Sequence, residues 1–308
     1  MKNLTNRFRV MPRSRTSLAA LDPCDTDGIS KATAGDRLEK GIARLSDAQE
    51  RLYALNTWSV LIIFQAPDAA GKDSTIKHVM SGVNPQGCQV FSFKAPSAEE
   101  LDHDFLWRSA KALPERGRIG IHNRSYYEEV IVTRVHPGIL ERQQLPGKAG
   151  DGSFWQRRFD SINNFEQHLV LNGTLVLKFF LHISRDEQRK RFIERLSEPE
   201  KYWKFSPGDL VERQHWDDYA AAYESVFRET STAHAPWFIV PADHKWFTRM
   251  AVAEIICDAL EHLELSFPTV SKSQREEWAT SRAALEAEDV SSRAPRPRRP
   301  GRPRRGRP

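Results

Sequence analysis

Apolar residues along the chain follow two spacings, one typical of helices and one typical of buried strands. Over residues 36–56 they recur every three or four positions, which predicts an amphipathic helix with one apolar face. Residues 59–64 and 174–183 are nearly continuous apolar runs, as in strands that are covered on both faces of a parallel sheet. The patterned part of the chain therefore begins with a helix that leads into a buried strand.

Strands and helices continue to alternate toward the C-terminus. Further strands are predicted at 89–94, 117–122 and 236–240. Helices are predicted at 72–80, 97–113, from about 126, and at 153–171, 185–196, 209–229 and 244–264. This alternation predicts an α/β fold with three layers, in which a mostly parallel sheet carries helices on both faces.

The two ends of the chain differ from the patterned middle. Residues 1–35 show little periodicity and are predicted to form an extended arm, and residues 269–290 a polar, partly helical linker. Residues 291–308 are rich in Arg and Pro and are predicted to be disordered. This tail holds eight arginines and the first twenty residues hold five basic residues, so the net charge of +5 leaves the middle acidic on balance. An anion site there must come from local clustering of basic residues.

Composition excludes several classes of protein. The chain has no run of 18 apolar residues, so no membrane span is expected. No apolar segment of the signal-peptide kind follows the N-terminus. Three widely spaced cysteines argue against a disulfide framework and against a zinc site. We therefore expect a cytoplasmic protein with reduced thiols.

The residues after the first strand have features of a phosphate-binding loop. A turn of small residues ends in Gly71 and Lys72, and a polar helix start follows. The match is degenerate, because Ala66 replaces the usual first glycine and Asp73 replaces the usual Ser or Thr. An ordinary strand–turn–helix with a surface lysine is the competing interpretation. Asp68 favours a phosphate site that also holds a cation, since a bound Mg²⁺ would neutralise this carboxylate.

A second polar cluster follows the strand at 117–122. Asn123 and Arg124 come directly after it, and Glu128 and Glu129 lie within the next helical segment. Ligands of open α/β sheets bind at the carboxyl ends of strands. There Arg124 could bind phosphate through two donors, and a glutamate could ligate a metal or act as a base. Taken by itself, the cluster is better explained as a salt-bridged helix start.

A third cluster is basic and lies at about 185–208. Arg191 and Arg195 share one helix face, and Lys201 and Lys204 follow in a loop. Such a run is usually a solvated face. Here the prolines and tryptophan of the loop favour a structured lid that closes basic groups over phosphates.

These clusters, together with other short blocks, resemble the polyphosphate kinase 2 family over about residues 21–268. The blocks are Asp68-Ala-Ala-Gly-Lys-Asp-Ser-Thr75, Gly82-Val-Asn-Pro85, Ser92-Phe-Lys94, His103-Asp-Phe-Leu-Trp-Arg108, Asn123-Arg-Ser125 with Tyr127-Glu128, Leu177-Lys-Phe-Phe-Leu-His-Ile-Ser184, Asp186-Glu-Gln188, Trp203-Lys-Phe205 and Ala235-Pro-Trp237. The resemblance implies a P-loop-kinase-like catalytic domain at 36–268, with a helical lid at about 185–208. It also implies dependence on Mg²⁺ and assembly into homodimers or homotetramers.

The resemblance further implies roles for individual residues. Asp68 and Glu128 would hold Mg²⁺, Lys72 would hold phosphate, and Arg124 would hold the transferring phosphoryl group. Further phosphate- or nucleotide-binding residues would be Ala70, Gly71, Asp73, Ser74, Asn123 and, as a weaker candidate, Glu129. The lid bases that would contact polyphosphate are Arg191, Arg195, Lys201 and Lys204. Many members have Asp in place of Asn123 and Asn in place of Glu128. This exchange resembles the branch that accepts both mono- and diphosphates.

The expected function is Mg²⁺-dependent transfer of phosphoryl groups between inorganic polyphosphate and nucleotides, with ADP, AMP and GDP as candidate partners. Two alternatives stay open. One is an ATP-dependent nucleoside monophosphate kinase. The other is a catalytically impaired protein that binds polyanions, partly through its arginine-rich tail. Pro67 motivates the second alternative, because proline lacks an N–H that could face phosphate. His122, where an apolar residue would be expected, is interpreted as a core histidine.

Overall fold

A parallel five-stranded sheet forms the centre of the fold in the computed structural model, which describes residues 4–147 and 149–292. The strands are β1 (Ser59–Gln65), β2 (Cys88–Ser92), β3 (Ile119–Asn123), β4 (Thr174–His182) and β5 (Trp237–Pro241). Their order across the sheet is β2-β3-β1-β4-β5, and every neighbouring pair is parallel. The first strand is therefore central, as its unbroken apolar character requires.

Helices connect the strands and precede the first of them. They are α1 (Leu4–Phe8), α2 (Lys31–Leu55), α3 (Lys72–Val79), α4 (Ala98–Leu101), α5 (Trp107–Ala110), α6 (Glu128–Val135), α7 (Pro137–Glu141), α8 (Gly152–Leu171), α9 (Arg185–Ser197), α10 (Pro207–Glu212), α11 (Trp216–Thr230), α12 (Lys245–Glu261) and α13 (Lys272–Ser292). Most predicted ends agree within a few residues, the range over which helix ends fray. The first long helix, α2, begins five residues earlier than predicted.

Apolar side chains cover both faces of the sheet. On one face the rings of Phe64, Phe179 and Phe238 stack across three strands, with centroids 5.3 and 5.5 Å apart, under α2 and α12. On the other face Tyr127 and Trp237 pack edge to face under α6, α8 and α11. The predicted α/β fold with helices on both faces is confirmed.

Two predicted helices are divided. The span 97–113 contains α4 and α5, because the Asp104 carboxylate accepts a hydrogen bond from the Leu106 N–H and forms a turn between them. The span 209–229 contains the end of α10 and most of α11, separated by a 3-10 turn at Arg213–His215. Helical spacing of apolar residues does not by itself show where one helix ends and the next begins.

The N-terminal segment is not an extended arm, contrary to the prediction for residues 1–35. Leu4 and Phe8 of α1 are buried in the core, and Leu18 is 6% exposed. The Val10 N–H donates to a carbonyl oxygen of β5 at 2.8 Å, at the edge of the sheet. These apolar residues are too irregularly spaced to form a periodic pattern, yet each one is buried by the folded domain.

The chain divides into two compact units, and the boundary along the sequence falls between Ser266 and Phe267. The second unit contains α13, which is longer and more regular than the predicted partly helical linker. The predicted disordered tail, 291–308, lies outside the described residues except for the two that end α13. Among the described residues, none of the helices has the length and apolar character needed to cross a membrane.

His122 of β3 is fully buried between the strands and the segment before β3. Its Nε2 lies 3.1 Å from the carbonyl oxygen of Ala112, and the rings of Phe91 and Phe93 contact it edge on. Burial lowers the pKa of His122 to about 4, so the imidazole is neutral at physiological pH. Its position agrees with the interpretation as a core histidine.

A buried ion pair links β4 to α8. Lys178 Nζ lies 2.5 Å from Glu166 Oε2, and both side chains are fully buried. The hydroxyls of Tyr126 and Tyr127 each donate to Glu166 Oε1 at 2.8 Å, and Lys178 also donates to the Thr230 carbonyl. Every charged atom of the pair thus has a partner, which offsets the cost of removing the charges from water.

Replacing Lys178 by Met should lower the free energy of unfolding by about 3–5 kcal/mol, because it leaves the Glu166 carboxylate buried without its counter-ion. Urea unfolding followed by circular dichroism measures this change. Lys40→Met, at an exposed position on α2, is the matched control and should change stability by less than about 0.5 kcal/mol. Equal effects of the two substitutions would contradict the assigned role of the pair.

Candidate active site

The loop between β1 and α3 lies at the carboxyl edge of the sheet, where the strand order reverses. Open α/β sheets bind ligands at this position. Gly71 has a φ of 104° at the N-terminus of α3, a backbone conformation that favours glycine. Ala69 also has a positive φ of 62°, whereas Ala66 does not. The alanine in place of the usual first glycine therefore causes no backbone strain.

Lys72, the first residue of α3, folds back over the loop. Its Nζ donates to the carbonyl oxygens of Ala66 at 2.7 Å and Pro67 at 3.5 Å. The Pro67 carbonyl also accepts from the Ala70 N–H at 3.3 Å, so the proline is part of a closed turn. Burial, and then the nearby Arg124 guanidinium, lower the pKa of Lys72 to about 8.

An ion pair joins the loop to the end of β3. Arg124 Nη2 lies 2.9 Å from Asp68 Oδ1, and Arg124 Nη1 lies 3.6 Å from Glu128 Oε2. Glu128, and after it Asp68, raise the pKa of Arg124 against the effect of burial. Arg124 has a φ of 63°, and its N–H donates to the Phe64 carbonyl at 3.0 Å. The two predicted metal ligands therefore face one guanidinium.

Asn123, the last residue of β3, is bonded to the first turn of α3 and to the end of β2. Its Nδ2 donates to Asp73 Oδ1 at 2.5 Å and, more weakly, to Ser92 Oγ at 3.4 Å. The neighbouring Ser74 Oγ accepts from Arg249 Nη2 at 2.7 Å. The phosphate-loop cluster and the strand-end cluster thus form one site.

Two cavities meet at this site. The first, which we call the basic cleft, has a volume of about 790 Å³, and its cationic residues include Lys72, Lys94, Lys204, Lys245 and Arg249. The second, which we call the apolar pocket, has a volume of about 330 Å³, and its apolar residues include Leu21, Phe180, Ile183, Tyr219 and Tyr223. Asp68 and Arg124 line both cavities. Groups bound in the two cavities can therefore meet at this ion pair.

Comparison with known proteins decides the family. The polyphosphate kinase 2 (PPK2) family model matches residues 28–268. An ADP-polyphosphate phosphotransferase of Rhodopseudomonas palustris is 53% identical over 288 residues, covering 92% of this chain and 99% of that protein. An AMP/ADP-polyphosphate phosphotransferase of Meiothermus ruber is 45% identical over 264 residues, covering 85% and 95%. The chain belongs to the polyphosphate kinase 2 family.

A solved structure gives the same result. The crystal structure of polyphosphate kinase 2 from Arthrobacter aurescens matches with a TM-score of 0.83 and 42% sequence identity, covering 93% of this chain and 97% of that one. The P-loop-kinase-like fold predicted from the sequence is confirmed. The predicted enzyme class, a kinase that transfers phosphate between polyphosphate and nucleotides, is confirmed as well.

Glu129 of this polyphosphate kinase 2 does not face the site, so its predicted role in binding phosphate or nucleotide is wrong. It is 6% exposed, with Oε1 3.0 Å from Arg158 Nε, and Oε2 accepts from Gln143. One residue along a helix turns a side chain by about 100°, so adjacent Glu128 and Glu129 face different sides of α6. Burial raises the pKa of Glu129 above its ordinary value.

Arg191 lines the basic cleft, and its guanidinium is bonded to the loop between β1 and α3. Its Nη1 donates to the carbonyls of Ala69 at 3.0 Å and Ala70 at 2.9 Å. Its Nη2 donates to the carbonyls of Ala242 at 2.7 Å and Asp243 at 3.0 Å. The side chain is 5% exposed. Arg191 therefore ties the loop to the segment after β5.

All four predicted lid bases line the basic cleft. Arg195 Nη1 lies 3.5 Å from Asp209 Oδ2, and Lys201 Nζ lies 2.5 Å from Glu194 Oε1. These two bases are thus paired with acids of the lid region. A phosphate chain would compete with those acids for Arg195 and Lys201. Lys204 has no acidic partner among the described ion pairs, so no such competition arises there.

Sequence reasoning missed basic residues that reach the cleft from distant parts of the chain. Lys245 and Arg249 lie on α12, and Lys94 follows β2. Single basic residues on a helix are ordinary surface features, so they carry little signal. Two indications were available: Lys245 lies just after the carboxyl end of a predicted strand, and Lys94 lies at the carboxyl end of another and in a block that resembles the family.

The low pKa of Lys72 predicts a basic limit of activity. Its ammonium loses its proton as the pH rises through about 8, and its attraction for phosphate is then lost. We therefore expect kcat/KM for polyphosphate to fall as the pH rises above about 8. Arginine keeps its charge at far higher pH, so Lys72→Arg should lack this decline. The variant should also be less active, because a guanidinium does not replace an ammonium group without loss. If kcat/KM of Lys72→Arg declined in the same way, the titration of another group would be its cause.

Arg191→Met should lower kcat/KM for both substrates by at least about tenfold, because the loop loses charged donors to its carbonyl oxygens. Steady-state kinetics with each substrate varied in turn measures the loss. Arg189→Met, on the same helix and 63% exposed, is the matched control. If both variants lost the same activity, the bonds to the loop would not be the cause.

Proposed function

We propose that this polyphosphate kinase 2 transfers the terminal phosphoryl group of inorganic polyphosphate to ADP and AMP, forming ATP and ADP. The wall shared by the two cavities carries the proposal, since Asp68 and Arg124 line both. Phosphoryl transfer requires donor and acceptor oxygens roughly in line with the transferring phosphorus. A donor in one cavity and an acceptor in the other would meet that requirement at this wall.

Polyphosphate suits the basic cleft because of its repeated negative charge. The cleft takes cations from separate elements, such as Lys94 after β2, Lys204 in the lid, and Arg249 on α12. Cations spread in this way can contact successive phosphates of a chain, whereas one phosphate group could not reach all of them. The cleft is thus better suited to a polymer than to one phosphate group.

A nucleotide acceptor suits the apolar pocket. Phe180, Ile183 and Tyr223 offer apolar surface to a base, and the pocket ends at the Asp68–Arg124 pair. Two relatives are named for transfer to ADP and to AMP or ADP, which supports these acceptors. GDP is a third candidate, since a GDP-polyphosphate phosphotransferase of Pseudomonas aeruginosa is 33% identical over 210 residues.

Asp68 and Glu128 suit a Mg²⁺ site. Both carboxylates lie beside Arg124, and the described residues include no group of three or more His, Cys, Asp or Glu that could hold a metal. Mg²⁺ is commonly bound by one or two carboxylates together with substrate phosphates and water, so this pair is sufficient. Bound there, Mg²⁺ would neutralise charge on the donor and acceptor phosphates.

The protein's own contribution is to bind, orient and neutralise. Lys72 and Arg124 would hold oxygens of the transferring phosphoryl group. An acceptor phosphate oxygen forms the new P–O bond while the bond to the bridging polyphosphate oxygen breaks, and that oxygen leaves with the shortened chain. The acceptor oxygen is already ionised at neutral pH, so this step needs no general base. The lid at 185–208 would exclude water and so limit hydrolysis.

The proposal also covers the whole molecule. It includes a catalytic domain at 36–268, supported by the family match at 28–268. It also includes a cytoplasmic location and assembly into a homodimer or homotetramer, supported by the resemblance alone. It further includes binding of polyanions by the tail at 291–308, supported by its eight arginines.

The proposed reaction is tested by supplying polyphosphate, Mg²⁺ and ADP, or AMP, without ATP. The wild-type protein should form ATP from ADP and should form ADP from AMP. Lys72→Met and Asp68→Asn should each lower the rate by at least about 100-fold, because each removes a charge at the transfer site. Lys77→Met, exposed on the same helix as Lys72, should keep the wild-type rate.

Three other outcomes would each refute part of the proposal. Transfer from ATP to AMP without transfer from polyphosphate would indicate an ordinary nucleoside monophosphate kinase. Polyphosphate binding without turnover would indicate a polyanion-binding protein. Rates near wild type in Lys72→Met or Asp68→Asn would refute the residue assignment and leave the reaction itself standing.

A further inference from the structure

A short segment before the family-matched residues forms one wall of the apolar pocket. We call residues 18–23 the N-terminal strap, and they precede the matched range of 28–268. Leu18, Ala19, Leu21 and Pro23 all line the pocket. The wall is thus made by the part of the chain whose sequence pattern predicts no structure.

Hydrogen bonds from the catalytic domain hold the strap in place. The Leu18 N–H donates to Glu224 Oε1 on α11 at 2.7 Å. His182 Nε2, at the end of β4, lies 3.1 Å from the Leu21 carbonyl oxygen and can donate to it. The Pro23 carbonyl accepts from the Asp243 N–H at 3.1 Å. The strap is therefore fixed at both of its ends and between them.

The placement of the strap points to the nucleoside part of the acceptor. Asp68 and Arg124 are the pocket residues that face the transfer site, so an acceptor phosphate must lie beside them. The rest of the nucleotide then occupies the remaining volume, which the strap and α11 enclose. Leu21 lines this pocket and is 40% exposed, so a bound base could cover part of its surface.

We propose that the N-terminal strap binds the nucleoside of the acceptor nucleotide and that Glu224 and His182 act as positioning residues for it. The inference rests on the proposed function, since it assigns the pocket to that acceptor. Glu224 also lines the pocket, but we assign its effect to the bond that it accepts from the Leu18 N–H, so what matters is its ability to accept a hydrogen bond.

The test compares Glu224→Leu with Glu224→Gln, because the amide oxygen of Gln can still accept from Leu18. Glu224→Leu should raise KM for ADP, and Kd for ADP in calorimetry without polyphosphate, by about tenfold. Glu224→Gln should stay within about twofold of wild type on the same reasoning. KM for polyphosphate should be unchanged in both variants. Glu229→Leu, the same change on α11 at a residue paired with Arg228, is the control.

Leu21→Ser tests the wall directly and does not depend on the folding of the Glu224 variants, since Leu21 is exposed. It should raise Kd for ADP severalfold and leave the urea midpoint of unfolding unchanged. Wild-type ADP affinity in both Glu224→Leu and Leu21→Ser would overturn the inference, and so would an equal rise in KM for polyphosphate. If the wild-type protein binds ADP through the strap but forms no ATP, the proposed function fails and the inference stands.

Discussion

The ion pair between Asp68 and Arg124 is the interaction on which the arrangement of the site depends. β1 and β3 are neighbours in parallel register, with Phe64 paired to Asn123, so the residues that follow them emerge side by side. The 2.9 Å contact closes the gap between the two loops. Because both residues line both cavities, this contact also marks the boundary between the proposed donor and acceptor sides.

The loop between β1 and α3 is held from outside by α9. Arg191 donates to two loop carbonyls, and Gln188 Nε2 donates to the Asp68 carbonyl at 2.9 Å. The loop therefore needs α9 for its shape, and α9 cannot move far without disturbing it. We infer that closure over phosphates involves the segment after Ser197, where Lys201 and Lys204 lie.

Much of the fold and part of the site could be read from the sequence because they depend on local patterns. Unbroken apolar runs predicted buried parallel strands, and the order of blocks around Lys72 and Arg124 predicted the family. The prediction for Glu129 failed because adjacent helical residues face different sides, and their spacing does not show which one faces the ligand. The bonds of Arg191 to the loop could not be predicted, because its partners are backbone carbonyls, which no side-chain pattern reveals.

The sequence by itself determined the parallel α/β fold and the polyphosphate kinase 2 family, since these follow from residue types at short separations. Only the tertiary structure decided that Glu128 rather than Glu129 faces Arg124, and that residues 18–23 form a wall of the apolar pocket. Leu18 and Glu224 are 206 residues apart. Contacts of this kind arise from packing of the whole domain, so neither residue carries a local sign of the other.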